Sequence, residues 1–440
     1  MKIVVLNAGS SSQKSKLYEL AEELPEQPPG PLWEANADWA EHPGETDLKV
    51  TTVHGGTVAE TLPTDSRREV IEHLLNTLVG GKTQVLSQLT EIDIVGHRVV
   101  HGGQEYREAT VITPTVKGVI KRLAQFAPLH NPINLEGVEA VERMLPHVPQ
   151  VAVFDTSFHS ELPPAAAVYP GPYEWFERGI RRYGFHGISH QYCSQRAAQL
   201  LGRDLESLRL ITCHLGNGCS LAAIRAGRSI ETTMGFTPLE GLMMGSRSGS
   251  VDPGILVYLL RQNGYTADQL DTMLNDDSGL KGISGVSSDM REIHAAIDQG
   301  KTRAQLAFDI YVHRLRSFIG AMLATLGGID ALVFTAGVGE HDASLRASAC
   351  EAFAFLGLHL DTEKNVHALA DCDIASADST VRVLLIETQE EWSIAKECWR
   401  LGHRGLLRRA NSPPHVKSSS NPEEYPLSSA QPHAKRRSRA

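Results

Sequence analysis

Three turns rich in Gly, Ser and Asn, each directly after a short apolar run, are the residues of this chain best suited to chemistry. They are Asn7-Ala8-Gly9-Ser10-Ser11-Ser12, His214-Leu215-Gly216-Asn217-Gly218-Cys219-Ser220 and Thr335-Ala336-Gly337-Val338-Gly339-Glu340-His341. Backbone N–H groups in such turns converge on phosphate oxygens, and a helix starting behind them adds a favourable dipole. None matches GxxxxGK[ST] or GxGxxG. Singly, each is also what a packing turn looks like. Three in one chain, with Lys14 close to the first, point to nucleotide phosphates.

Two arginines extend the anion theme. Arg98 follows an apolar run and is flanked by His97 and His101-Gly102-Gly103, and Arg247 lies in the Gly/Ser-rich stretch GLMMGSRSGSVDPG. Neither has acidic neighbours in sequence, so each is either an anion ligand or a solvated charge. His186 and His190 in RRYGFHGISH stand at i, i+4. The intervening Gly187-Ile188-Ser189 lacks the glutamate of HExxH, which disfavours zinc and leaves anion contacts or a structural role. A helix is expected to start near Ser189 as N-cap. His130 lies in FAPLHNP. Asp155 ends an apolar run, and Glu390-Glu391 opens a helix, where dipole capping competes with Mg²⁺ ligation as the explanation.

These residues need elements to position them. Residues 2–6, 92–95, 151–154, 208–213, 331–334 and 381–386 read as buried strands, and 116–126, 135–145, 304–326 and 390–400 as helices. The alternation predicts an α/β protein. A hairpin is expected to turn at Ala226-Gly227, and 21–43, rich in Pro, Glu and Trp, reads as a loop or edge hairpin. A strand followed by a Gly/Asn/Ser turn and more strands occurs near the start of each half, which suggests an internal duplication.

Length and composition set the bounds. A chain of 440 residues predicts two domains, and 41% hydrophobic with 21% charged residues is ordinary for a globular protein. The net charge of −10 argues against a general nucleic-acid binder. Residues 411–440 carry +3, so 1–410 carry −13, and any anion site must be a local positive island. No run approaches a membrane span, and the N-terminus lacks a signal-peptide core, so a cytoplasmic location is expected. Cys193, Cys213, Cys219, Cys350, Cys372 and Cys398 form no CxxC pair and read as free thiols. Past about residue 405 a disordered tail with a KRRSR cluster is expected.

Taken in order, NAGSSSQK (7–14), VGHRVVHGG (95–103), FAPLHNP (126–132), VFDTSFH (153–159) and YGFHGISH (183–190) resemble motifs of the acetokinase family. CHLGNGCS (213–220), GFTPLEGLMMGSRSG (235–249), GISGVSSDMRE (282–292), FTAGVGEH (334–341) and QEEW (389–392) continue the resemblance. The family lies in the acetate and sugar kinase/actin-like ATPase superfamily. The resemblance implies a two-domain actin-like (ribonuclease H-like) α/β fold with a duplicated core. It implies domains at 1–155, completed by a helix at 390–405, and 156–389, with 406–440 as tail. It implies the reaction ATP + acetate ⇌ ADP + acetyl phosphate, dependent on Mg²⁺ with Mn²⁺ as a substitute, run by a homodimer without nucleic acid or membrane.

The resemblance also implies roles. Asn7 and Glu390 would lie near the metal. Lys14, His214, Leu215, Gly216, Asn217, Gly218, Asp289, Met290, Arg291, Gly337, Val338, Gly339, Glu340 and His341 would lie at the nucleotide. Arg98 would hold the substrate carboxylate, His186 and Arg247 the transition state, Asp155 would be the catalytic acid residue and His130 a further active-site histidine. Val100, Leu129, Phe185 and Pro238 would surround the acetate methyl. A carboxylate nucleophile is already ionised at pH 7, so Asp155 is better suited to orienting the metal or its waters than to taking a proton. The chain departs from the family pattern at Ser15, Ser250, His341 and Gln389. Two other readings stand beside this one: a propionate kinase, and a non-catalytic nucleotide-binding scaffold, which would have no use for the carboxylate site.

Overall fold

A computed structural model describes residues 1–9, 12–39 and 44–405. Among them, the strands form two sheets. The first contains β1 (Lys2–Ala8), β2 (Ser12–Glu19), β3 (Trp33–Asp38), β4 (Thr46–Thr52), β5 (Thr57–Leu62), β6 (Ile94–Val99), β7 (Thr110–Val111) and β8 (Gln150–Phe154). Its order is β5-β4-β3-β2-β1-β6-β8-β7. The second contains β9 (Arg209–Leu215), β10 (Cys219–Arg225), β11 (Arg228–Thr232), β12 (Ala331–Thr335), β13 (Cys372–Asp373) and β14 (Arg382–Leu385), in the order β11-β10-β9-β12-β14-β13.

The two sheets repeat one plan. In the first, β1-β2-β3 is an antiparallel meander and β6 and β8 follow parallel to β1. In the second, β9-β10-β11 is the meander and β12 and β14 run parallel to β9. The duplication suggested by the sequence is therefore present in topology: an α/β fold of the actin-like ATPase type. Because β1 and β9 occupy equivalent places, their C-terminal turns, the first and second Gly-rich turns, do too.

Six helices position the site: α1 (Asn131–Met144), α2 (Gly187–Leu201), α3 (Pro253–Gln262), α4 (Thr302–Leu326), α5 (Ala336–His341) and α6 (Glu390–His403). The long 304–326 pattern forms α4, which buries Tyr311, Leu315 and Met322 and ends at Gly327 with φ 69°. There a left-handed residue closes the helix, which Gly does at low cost. Helix α6 lies on β1 and β6, with Trp392, Ile394, Ala395 and Cys398 inward, so a C-terminal helix completes the N-terminal sheet. The Ala226-Gly227 turn joins β10 to β11 with both residues at positive φ.

Some expectations need correction. Helix α2 begins at Gly187 with His186 as N-cap at φ 55°, not at Ser189. Only the third Gly-rich turn runs into a helix, α5; the first two are hairpin turns, so they offer backbone N–H groups without a helix dipole. The stretch 21–43 holds β3, in which Trp33, Ala35 and Ala37 alternate inward. The six cysteines are free thiols. The tail expected beyond 405, and Ser10 and Ser11 of the first turn, lie outside the described residues.

Candidate active site

The site is assembled from strand ends. Antiparallel pairing sets Asn7 of β1 opposite Lys14 of β2, and parallel pairing brings Arg98 of β6 alongside Val153 of β8. Asp155, one residue past β8, is fully buried; its Oδ2 accepts from Arg98 Nη2 at 2.6 Å and from the His186 backbone N–H at 3.2 Å. Arg98 Nη1 donates to the Ala8 carbonyl at 3.3 Å. Two buried polar atoms of this pair have no partner among the described residues, Arg98 Nε and Asp155 Oδ1. Burial opposes the Arg98 charge, yet Asp155 and Glu390 hold its pKa above the ordinary value.

Left-handed backbone at His186 turns its ring towards the second Gly-rich turn. A Cβ built on Gly218 would lie 3.4 Å from both His186 Cε1 and Arg247 Nη1, so glycine there lets the three converge. Arg247 donates through Nη1 to the Pro238 carbonyl at 3.1 Å and makes no ion pair among the described residues. Burial, with Arg98 adding, pulls its pKa below the usual range. His186 stacks on His214 with ring centroids 4.1 Å apart. Burial holds His186 well below its ordinary pKa and takes His214 and His130 to about 4, so all three are neutral at pH 7. They act as dipoles rather than as cations.

Two cavities adjoin here. One, of about 530 Å³, is lined by Asn7, Gly9, Ser12, Lys14, Arg98, His186, His214, Asn217, Gly218, Gly337, His341, Glu390 and Glu391, among others. The other, of about 650 Å³, is lined by Gly216, Asn217, Asp289, Met290, Arg291, Val338 and His341, with Leu280, Ser288, His294, Asp342 and Ser344. Asn217, Gly337 and His341 border both. A polar chamber thus opens into a more apolar one across the second and third Gly-rich turns, as a triphosphate joined to a nucleoside requires.

The carboxylates sit at the floor of the polar chamber. Asn7 Nδ2 donates to Glu390 Oε2 at 2.9 Å and Glu391 Oε1 at 2.8 Å, and Lys16 Nζ stands 3.5 Å from Glu391. Burial raises the Glu390 pKa, and Asp155 and Glu391 add to that against Arg98 and Asn7. A carboxyl made costly to ionise, beside an unpartnered Asp155 oxygen, suits a divalent cation. No cluster of three or more metal-ligating side chains exists among the described residues.

Residues 2–396 match the Acetokinase family along nearly the whole described chain. The chain belongs to the acetokinase family. Relatives include the acetate kinase of Nostoc punctiforme, 64% identical over 91% of this chain and 99% of its own length. That of Gloeobacter violaceus is likewise 64% identical, over 91% of this chain and 99% of its own. Among solved structures, Porphyromonas gingivalis acetate kinase is 41% identical with a TM-score of 0.81, covering 90% of this chain and 98% of its own. A propionate kinase from Francisella tularensis is 38% identical, also at TM-score 0.81, with the same coverages.

Not every residue implied by the family resemblance reaches a cavity. Leu215 and Gly339 are buried behind the turns. Glu340 does line the polar chamber, its carboxylate accepting from the Ala336 N–H at 2.7 Å and the Thr388 N–H at 3.2 Å. Val100 and Phe185 are buried in the core, Leu129 is half exposed and Pro238 holds Arg247, so these four line neither chamber. Ser250 exchanges hydrogen bonds with Gly241, which ties the loop. Sequence reasoning paired Glu391 with Glu390 but missed Thr212, Ser220 and Thr388, and took Ser189 for a helix cap. The doubled Glu390-Glu391 was a visible signal, whereas an isolated Ser or Thr in a strand or loop carries none.

Proposed function

We propose that this chain is an acetate kinase that transfers the γ-phosphoryl group of ATP to acetate. The observation that carries the reading is the meeting of Arg98, held by Asp155, with Arg247, which has no carboxylate partner among the described residues, beside the Gly218 turn. Acetate binds at Arg98, whose Nε has no partner among the described residues. Its carboxylate is ionised at pH 7 and attacks phosphorus directly, so no general base is required. Arg247 and the His186 ring stabilise the charge spread over the equatorial oxygens in flight. The nucleoside occupies the 650 Å³ chamber near Asp289, Met290 and Arg291, with the phosphates against Lys14, His214 and residues 216–218.

Mg²⁺, with Mn²⁺ as a substitute, would be held near Glu390, Asn7 and Asp155, and supplies neutralisation of the phosphate charge. Residues 1–155 with 390–405, and 156–389, form two lobes that close on the substrates. Since Val100, Leu129, Phe185 and Pro238 line neither chamber, they become the acetate methyl pocket only when the loops at 126–130 and 235–247 close, which also excludes water. No helix among the described residues is long and apolar enough to cross a membrane. The enzyme works on small molecules in the cytoplasm.

The test is a hydroxylamine trap for acyl phosphate with Mg-ATP and acetate. Product is expected; a folded, ATP-binding protein that yields none is a scaffold instead. Comparing kcat/KM for acetate, propionate and butyrate decides the propionate alternative, which the Francisella neighbour supports. One methylene is worth only about 1–3 kcal/mol, so the preference is a matter of degree.

The enzyme works as a homodimer through α3. Ile255, Val257, Tyr258 and Leu260 are 44 to 60% exposed, and no residue of the helix is buried. An apolar helix left uncovered marks an interaction surface. Ile255→Asp with Tyr258→Asp is expected to yield a monomer by light scattering; an unchanged mass would exclude this face.

A further inference from the structure

Behind the two stacked histidines run two chains of hydroxyls that phosphoryl transfer does not itself call for. His186 Nδ1 lies 2.9 Å from Ser220 Oγ, and the same oxygen lies 2.7 Å from His190 Nε2. His190 Nδ1 in turn lies 2.7 Å from Thr212 Oγ1. Behind His214, Nδ1 lies 2.8 Å from Ser189 Oγ, which is 3.0 Å from Thr388 Oγ1. Ser189, His190, Thr212 and Ser220 are all fully buried. The Ser220, His190 and Thr212 part of the His186 chain is therefore closed to bulk water.

Counting protons links these groups. Ser220 has one hydroxyl proton and faces two imidazole nitrogens, so it can donate to only one of them. If it donates to His186 Nδ1, its oxygen accepts from His190 Nε2–H. The bare His190 Nδ1 then accepts the Thr212 proton, and His186 carries its own proton on Nε2. In the opposite sense, or where the Ser220 oxygen accepts from both rings, His186 donates through Nδ1 and presents a bare Nε2 lone pair. The Cε1–Nε2 edge of His186 faces the Gly218 turn, where the phosphoryl group is expected. An anionic oxygen there is attracted by N–H and repelled by a lone pair.

We infer that His190, anchored by Thr212 and acting through Ser220, is a positioning residue that ties His186 to its Nε2–H tautomer, so that the ring offers a hydrogen bond to the transferred group. His190 is fully buried with each ring nitrogen on a hydroxyl, so Thr212 and Ser220 take up both of its ring positions. Thr388 and Ser189 set His214 in the same sense. The inference rests on the kinase reading for what the N–H donates to, but the tautomer itself is a property of the folded chain.

The experiment is long-range ¹H–¹⁵N NMR of the full chain labelled with ¹⁵N-histidine, with His186→Gln and Ser220→Ala used to assign signals, combined with steady-state kinetics. In the unmodified protein His186 is expected to show a bare Nδ1 and a protonated Nε2. Ser220→Ala is expected to mix the tautomers and lower kcat about 10- to 100-fold, while KM for acetate and ATP stays within about twofold. Thr212→Val should act in the same direction more weakly, and Thr212→Ser should restore both kcat and tautomer. An Nδ1–H tautomer in the unmodified protein overturns the inference, as does a Ser220→Ala kcat within about twofold of the original. Should Ser220→Ala not fold, the Thr212 pair decides in the same way. If the unmodified protein forms no acyl phosphate the kinase reading falls, and the NMR still decides the tautomer.

Discussion

Arg247→Ala is expected to lower kcat by roughly 10³-fold or more, with KM for ATP changed only a few-fold, by analogy with arginine fingers. Arg247 is largely buried yet makes no ion pair among the described residues; its Nη1 rests on a backbone carbonyl and, at 3.8 Å, on the Met244 sulfur. A buried cation without a counter-ion is costly, and burial and Arg98 both lower its pKa. Such a charge is tolerated where it is neutralised during turnover, by an anion arriving at the Gly218 turn. Alanine removes the stabilisation when charge on the phosphoryl group is most dispersed, so the loss falls on kcat. Arg247→Lys keeps the charge without the planar fork and should recover only part of the rate. Steady-state kinetics with hydroxylamine trapping checks both variants. An unchanged kcat with a raised KM would mean that Arg247 only holds substrate.

How much of this was legible in the sequence depended on what each residue does for the fold. Apolar runs such as 2–6, 208–213 and 331–334 are strands covered on both faces, and composition alone exposes them. Strand β2 was not legible, because it lies between two strands yet buries Gln13 and Ser15 as well as Leu17. Strand β3 hid its Trp33, Ala35, Ala37 alternation among prolines and glutamates. Arg98, Arg247 and Asp155 were legible because each stands at the end of an apolar run or among glycines, where a charge needs a reason. Their convergence was not, since it depends on parallel pairing of β6 with β8 and on the left-handed backbone at His186. The helix start was misplaced for the same cause: Ser189 looks like a cap, but its hydroxyl is spent on His214.

Glu390→Gln is expected to abolish most divalent-cation stabilisation and to lower kcat by about 10²-fold or more, as when a preorganised electrostatic group is lost. Its effect on the metal-free protein should have the opposite sign. Burial, with Asp155 and Glu391 nearby, raises the Glu390 pKa in the folded chain. Between the ordinary carboxylate range and that raised value the folded state binds more protons than the unfolded one. Stability therefore falls as pH rises through this window, and the ionised carboxylate is a cost at neutral pH. Glutamine is isosteric, never ionises and keeps an oxygen for Asn7 Nδ2, which now donates at 2.9 Å. In EDTA at pH 7 the variant should unfold at or above the Tm of the original, and the difference should vanish as pH drops below the carboxylate range. Added Mg²⁺ should reverse the ranking: a cation at a hundred times its Kd stabilises its binding state by about 2.7 kcal/mol, and the variant should lose most of that. Thermal unfolding with and without MgCl₂ measures both signs. An equal Mg²⁺-induced rise in Tm for the two proteins would place the ion away from Glu390.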